Sequence, residues 1–230
     1  MSAGGEPRAD LRPDLRHVDT WLFDLDNTLY PAESGFMRSI EGRMTEFVMR
    51  VTGLQREPAY KLQKHYLAEH GLTLRGLMID HGVDPDEYHT LFHDLSLDVL
   101  AHDAGLLAAL ERLPGRRLIF TNADEKHAKR VLDHLGLAGL FDDVFHIATI
   151  DYVPKPSRES FARLVTGQAI DPQSTAFFED SERNLAPAAE LGMTTVLVGA
   201  HAAQSTATFV QHRTDKLAPF LDAALLKEAA

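Results

Sequence analysis

Cysteine is absent from the 230 residues, which excludes disulfides, a thiolate nucleophile and any Cys-ligated metal. Also missing is an apolar run approaching the ~20 residues that cross a bilayer. Positive charge is scarce: 23 basic residues face 34 acidic ones, a formal net charge of −11 at pH 7. Nucleic acids and anionic membranes both reward clustered Lys and Arg, so this balance argues against either as a partner. A small anionic ligand stays compatible, because a few placed cations overrule the global charge locally. No internal repeat or low-complexity tract is visible. The opening MSAGGEPRADLRPDLR has no apolar segment after its charges and does not read as a secretory signal. Residues 1–16 are therefore expected to form a disordered lead-in, and the protein to be cytoplasmic. What is present is an ordinary globular composition, 44% hydrophobic and 25% charged, long enough to bury a substantial core.

The apolar pattern changes period along the chain. VDTWLFDL (18–25) is a buried strand ending at Asn27-Thr28. From Glu33 to His102 the texture is helical. Ile40, Met44, Phe47, Val48 and Val51 recur at helical spacing before Gly53, a second helix runs over 57–69 to Gly71, LTLRGLMIDHG closes at Gly82, and Asp84-Pro85 opens another. After Ala104 strands and helices alternate. Helices fall at 106–113, 128–137, 157–165 and 182–192, the last with Pro187 near its start or kinking it. Strands fall at 116–123, 144–148, 174–181 and 194–200, and DKLAPFLDAALLKEAA is a closing helix. Such alternation predicts a parallel sheet covered on both faces. Some 90 residues of mostly helix between the first two strands are too many for a simple crossover, so the reading is an α/β core with a helical insert.

Ligands of doubly wound sheets bind at the carboxyl ends of the strands. Past strand one come Asp24 and Asp26; past strand two, Thr121 and Asn122; after strand three, Lys155 between two prolines; past strand four, Glu179, Asp180 and Ser181. Singly, each has an ordinary explanation: Asx residues make turns, loop lysines are solvated, and Glu-Asp-Ser can cap a helix. Jointly they are complementary. Asp24 and Asp26 alternate onto one side, and Asp180 emerges beside them if strand four neighbours strand one. Several carboxylates at one point cannot all ionise without a cation, and oxygen-only ligation selects a hard ion, Mg²⁺ above all.

These residues resemble the haloacid dehalogenase-like (HAD) hydrolase superfamily. DLDNT (24–28) is similar to its D-x-D-x-T/V motif, Thr121 to its second motif, Lys155 to its third and Glu179-Asp180 to its acidic fourth. FDLDNTLYP, RMTEFV, LQKHYL, HGLTLRGLM, FHDL, FTNADEKHAKRVL and FEDSERNL are similar to the pyrimidine 5′-nucleotidase-like branch. The resemblance implies a Rossmann-like doubly wound parallel-sheet core, residues 17–32 and 103–230, with an inserted α-helical cap domain, residues 33–102.

It also implies roles. Asp24 would be the nucleophile, forming an aspartyl-phosphate, and Asp26 the acid that protonates the leaving alcohol and then the base that activates water. Mg²⁺ would be held by Asp24, Asp180 and the backbone carbonyl of Asp26, with Glu179 either a ligand or holding a bound water. Thr121 and the amides of Asn122 and Ala123 would cradle phosphate, with Lys155 adding a point charge. Asn27 and Thr28 would shape the loop, and Asn184 would brace Asp180. Dehalogenases of the superfamily lack an aspartate at the position of Asp26, so a phosphatase is implied first and a phosphomutase second. The substrate implied is a small phosphate ester, best a pyrimidine nucleoside 5′-monophosphate. Another sugar or metabolite phosphate, or an idle binding protein on the same fold, is the alternative.

Some features stay outside this set. His89 and His93, four apart on one helix, have no HExxH glutamate and no third ligand nearby, so a surface or interface role outweighs a metal one. Arg75 is either a cap cation reaching the substrate or a helix-surface arginine. The insert carries 7 basic and 11 acidic residues, no platform for nucleic acid. Oligomeric state is not legible.

Overall fold

In the computed structural model residues 12–228 are described. Strand β1 (Thr20–Phe23) is four residues, all buried. It lies between β2 (Arg116–Phe120) and β4 (Thr175–Glu179), parallel to both, with Phe23 opposite Ile119 and Phe178. With β3 (Asp143–Phe145), β5 (Thr194–Val198) and β6 (His212–Thr214) the sheet is parallel throughout, in the order β3-β2-β1-β4-β5-β6.

Strand periodicity divides the apolar residues between two faces. Trp21, Phe23, Ile119 and Phe178 enter one core with helices α5 (Ala104–Glu111), α6 (Glu125–Leu135) and α9 (Leu217–Ala223). Leu22, Leu118, Phe120 and Phe177 enter the other, with α7 (Arg158–Gln168) and α8 (Glu182–Leu191). Phe178 stacks on Phe23 with ring centroids 4.7 Å apart. Each such ring, fully buried, contributes about 2–3 kcal/mol.

The helical insert follows β1 as α1 (Phe36–Thr52), α2 (Arg56–His70), α3 (Thr73–His81) and α4 (Pro85–Thr90). Phe36, Phe47, Tyr66, Leu74 and Tyr88 join the apolar cluster of the first sheet face. Polar contacts add to this. Arg75 donates to the Tyr152 carbonyl at 2.9 Å, and Arg130 of α6 donates to the carbonyls of Phe92 and Leu95 at 3.0 and 2.8 Å. Gly71 ends α2 with φ +76°, and a Cβ there would lie 3.2 Å from Pro154 Cγ and 3.3 Å from the Lys155 carbonyl.

Several sequence expectations are corrected. β1 begins at Thr20 rather than Val18, and the strand expected over 144–148 gives way to a 3₁₀ turn at Ile147. Helix α6 begins at Glu125, three residues early, because the Asp124 carboxylate caps it by accepting from the His127 amide. β6 was not expected: HRT carries no apolar alternation and is only half-buried at the sheet edge. The closing helix stops at Ala223 because Leu225 turns to pair with Pro13 and Leu15 through backbone bonds of 2.8 and 2.9 Å. The lead-in differs accordingly. Residues 1–11 lie outside those described, whereas Leu15 is fully buried. Pro187 lies inside α8.

Gly76 of α3 leaves no room for a side chain: a Cβ there would sit 2.3 Å from the Tyr66 ring. That ring is 3% exposed and its hydroxyl donates to Asp80 at 2.7 Å, so it has little room to move. Gly76→Ala gains about 1 kcal/mol of helix propensity but loses about 1–3 kcal/mol to overpacking. A net fall in melting temperature is expected by thermal denaturation, and an unchanged or higher value would contradict this packing.

Candidate active site

Because the chain leaves β1 for the insert and resumes on both sides of it, the carboxyl end of β1 opens into a crevice. Asp24 stands there, its amide donating to the Phe178 carbonyl at 2.9 Å as a last ladder bond. The chain then turns tightly. Asn27 adopts φ 63°, a left-handed conformation that Asn tolerates, and the Leu29 amide donates to the Leu25 carbonyl at 3.0 Å. One turn brings two braces. The Thr28 hydroxyl donates to Asp24 Oδ2 at 3.2 Å, and the Tyr30 hydroxyl donates to Asp26 Oδ1 at 2.6 Å.

Lys155 is 1% exposed. Its ammonium donates at 2.7 Å to each of Asp24 Oδ1, Glu179 Oε2 and the Phe120 carbonyl, which uses all three of its donors. The rings of Phe120 and Phe177 lie 5.1 and 5.4 Å from the nitrogen. Asn122 locks the lysine's loop from strand two: its Oδ1 accepts from the Lys155 amide at 2.9 Å and its Nδ2 donates to the Lys155 carbonyl at 3.2 Å. The Asn122 side chain is thus committed to the loop. Thr121 is buried, and its Oγ1 accepts the Ala123 amide at 3.0 Å, leaving the hydroxyl hydrogen free to donate.

Asp24, Glu179 and Asp180 bring one carboxylate oxygen each within 4.8 Å of one another. Burial, then the neighbouring Glu179, push Asp24 up to about 7 against the pull of Lys155. Burial also raises Glu179 to about 7 and, with the Asp24 charge, Asp180 to about 6. Lys155 goes the opposite way: burial disfavours its charge, but Asp24 and Glu179 hold it up to about 12. Three acids and one ammonium at the inner end of a cavity are an all-oxygen donor set short of positive charge, which fits a hard divalent cation. Asn27, beside Asp180, works against its rise. Asn184, expected to brace that acid, is 8% exposed and its Oδ1 has no partner. The Asp180 carbonyl accepts instead from His201 Nε2 at 2.8 Å.

Asp26 stands apart. Burial would raise it, but His127 Nε2, 2.9 Å from Oδ1, and the Tyr30 hydroxyl lower it below the usual carboxylate range. His127 is raised in turn, the Asp26 charge outweighing its own burial. Neither partner was singled out from the sequence. Tyr30 lies one turn past Asp26 and His127 one turn into the helix after strand two, so reading onward from each strand end would have reached both.

A cavity of about 440 Å³ extends from this cluster to the insert, lined by Asp24, Asp26, Lys155 and Asp180 on one side and by Met44, Leu72 and Phe92 on the other. Arg75 is not in its wall; its bond to Tyr152 makes it a strut between insert and core. His89 and His93 both face Asp124, 3.2 Å from its two oxygens, so the missing third group is a helix-capping carboxylate. Among the described residues the metal-type cluster is Asp24, Glu179 and Asp180.

The sequence model described as haloacid dehalogenase-like hydrolase matches residues 18–192. Phosphate metabolism protein 8 of Saccharomyces cerevisiae is 28% identical over 189 residues, 75% of this chain and 59% of that protein, so the chain spans well under two thirds of that relative's length. Among solved structures, a HAD phosphatase from Thermococcus onnurineus superposes with TM-score 0.61 at 17% identity, covering 86% of this chain and 94% of the other. A dehalogenase with an intermediate complex superposes with TM-score 0.62 at 15% identity, covering 93% and 99%. These two share the fold.

The raised acids make a stability prediction. Unfolded carboxyls titrate near about 4, so between about pH 4 and 7 the folded chain holds more protons than the unfolded one, and the cluster's contribution falls as pH rises. A divalent cation reverses this by favouring the ionised acids. Mg²⁺ at about 100 times its dissociation constant stabilises by about 2.7 kcal/mol, worth about 5–10 °C in melting temperature for a chain of this size. The shift should be larger at about pH 8 than at about pH 5, where protons compete with the metal. Taking the difference with and without metal isolates the cluster from the lowered Asp26 and Asp124, and equal shifts at both pH values would refute the assignment.

Proposed function

From the premise that this chain belongs to the haloacid dehalogenase-like hydrolase family, we propose that it is a Mg²⁺-dependent phosphatase of a small organic phosphomonoester. The observation that carries the reading is Asp26, a second carboxyl beside Asp24 on the same cavity, with its own bracing and its own titration. Displacing halide needs no leaving-group acid; displacing an alkoxide from phosphorus does.

In this reading the Asp24 carboxylate attacks phosphorus in line, the bond to the ester oxygen breaks, and that oxygen takes the proton of Asp26. Asp26 then accepts a proton from the water that cleaves the aspartyl-phosphate, and inorganic phosphate leaves. Asp26 rests as a carboxylate, suited to the second half; for the first it takes up a proton from solvent or from the arriving monoester, whose negative charge raises its proton affinity. Lys155 holds Asp24 in place, and the Thr121 hydroxyl is free to donate to a phosphoryl oxygen. Asp24, Asp180 and the Asp26 backbone carbonyl would hold Mg²⁺. Both Glu179 oxygens already accept hydrogen bonds, from Lys155 and from the Ser181 amide, which favours its acting through a bound water. The cation supplies the charge that lets two anions meet.

For the ester's organic part we propose a pyrimidine nucleoside 5′-monophosphate such as UMP or CMP, on the likeness of the insert and loop segments. The mostly apolar insert wall of the cavity suits a flat base. Residues 33–102 act as the cap, and Arg75 belongs to its attachment. A sugar-phosphate phosphatase or a phosphomutase is the rival enzyme, and an idle binding protein the rival of another class.

Purified protein with Mg²⁺ is expected to release inorganic phosphate from UMP and CMP faster than from purine nucleotides or sugar phosphates. Asp24→Asn should lower turnover by at least about 10³-fold, and chelation should abolish it. An isomerised product with little phosphate would instead mark a mutase. No turnover across about 100 metabolites would sink the phosphatase, given the 10⁶-fold or greater accelerations enzymes supply.

A further inference from the structure

Asp26 Oδ1 accepts two hydrogen bonds, from the Tyr30 hydroxyl at 2.6 Å and from His127 Nε2 at 2.9 Å. Each donor is 3% exposed. They come from different parts of the chain: Tyr30 from the turn after β1, His127 from the first turn of α6, 101 residues beyond Asp26. Neither is free to wander. The His127 amide is fastened to the Asp124 cap at 3.0 Å. Its ring lies parallel to Phe36 at 10° with centroids 6.0 Å apart, and Phe36 meets Tyr30 edge-on at 5.9 Å. The two donors and the ring between them thus form one packed unit around a single carboxylate oxygen. Oδ2 of Asp26 makes no hydrogen bond to the described residues, while Asp26 lines the cavity.

We propose that His127, assisted by Tyr30, is a positioning residue: by saturating Oδ1 it fixes the rotamer of Asp26 so that Oδ2 is the oxygen presented to the ester's leaving group. The proposal rests on the reading of Asp26 as the leaving-group acid. It goes beyond that reading by assigning a role to a helix residue outside the strand-end motifs. A free aspartate samples several χ1 and χ2 settings, and an acid displaced from the leaving oxygen by about 1 Å forfeits much of its effect.

The prediction is selective. An ester with a good leaving group, p-nitrophenyl phosphate, needs little protonation as its bond breaks; a simple alkyl phosphate needs it fully. His127→Leu removes the donor and is expected to lower kcat/KM, which stops at departure of the leaving group and so omits the later use of Asp26 as base, by about 10²-fold on the alkyl ester and by less than about 3-fold on the nitrophenyl ester. His127→Gln keeps an N–H donor of similar reach and should recover most of the loss; Tyr30→Phe should show a weaker version of the same selectivity. Equal losses of kcat/KM on both esters would mean that His127 only supports the fold, and no loss on either would mean that Asp26 holds its place unaided; each overturns the proposal. Asp26→Asn run in parallel separates the two levels, because a variant without leaving-group dependence there condemns the reading of Asp26 itself. Should the wild type hydrolyse neither ester, the crystal structure of His127→Leu decides: Asp26 retained in its rotamer overturns the proposal, and Asp26 turned away from the cavity upholds it.

Discussion

A buried ammonium holding three oxygens is the contact on which the site depends. Lys155 joins the ends of three neighbouring strands: Asp24 after β1, the Phe120 carbonyl at the end of β2 and Glu179 at the end of β4. Desolvating such a group costs several kcal/mol, and the cost is met only because every donor is used and two aromatic faces lie beneath it. Removing the lysine would leave two buried carboxylates without a counter-charge. With it, the cluster of Asp24, Glu179, Asp180 and Lys155 still carries a formal charge of −2 when ionised, the complement of a divalent cation.

Two aspartates separated by a single residue are held in opposite electrostatic states. Asp24 sits among other acids and is raised; Asp26 faces a histidine and a tyrosine and is lowered. Divergent environments of this kind divide labour between like groups. The division originates in the sheet. Leu25 turns inward into the apolar core, Asp24 stays in the strand-end row, and Asp26 is carried by the turn toward α6.

The sheet and the site were legible to different degrees, for physical reasons. Continuous apolar strands announce themselves, and parallel topology converts their order into a row of polar ends, so Asp24, Thr121, Lys155, Glu179 and Asp180 could be placed at one edge of the sheet, where they line one cavity, without knowledge of any contact. β6 was illegible because an edge strand of His, Arg and Thr buries too little to leave a pattern. The closing helix was overestimated because its periodicity continues past the point where Leu225 finds a better partner in residues 13–15. His127 and Arg75 act over 101 and 77 residues of sequence separation, a distance that local pattern does not encode. Arg75 was read as either a cation reaching the substrate or a helix-surface arginine; its partner is a backbone carbonyl.

The seam between insert and core bears on how such a protein can change. At Gly71 the end of α2 rests against Pro154 and the carbonyl of Lys155, in a backbone conformation that disfavours a side chain. The insert's wall of the cavity is built of side chains such as Met44 and Phe92, where one apolar group can replace another. The residue that touches the lysine's own backbone has no such latitude, since a methyl group there presses on the loop that sets the ammonium. A side chain at this one position is thus felt at the ammonium, whatever the helices on either side of it present to the cavity.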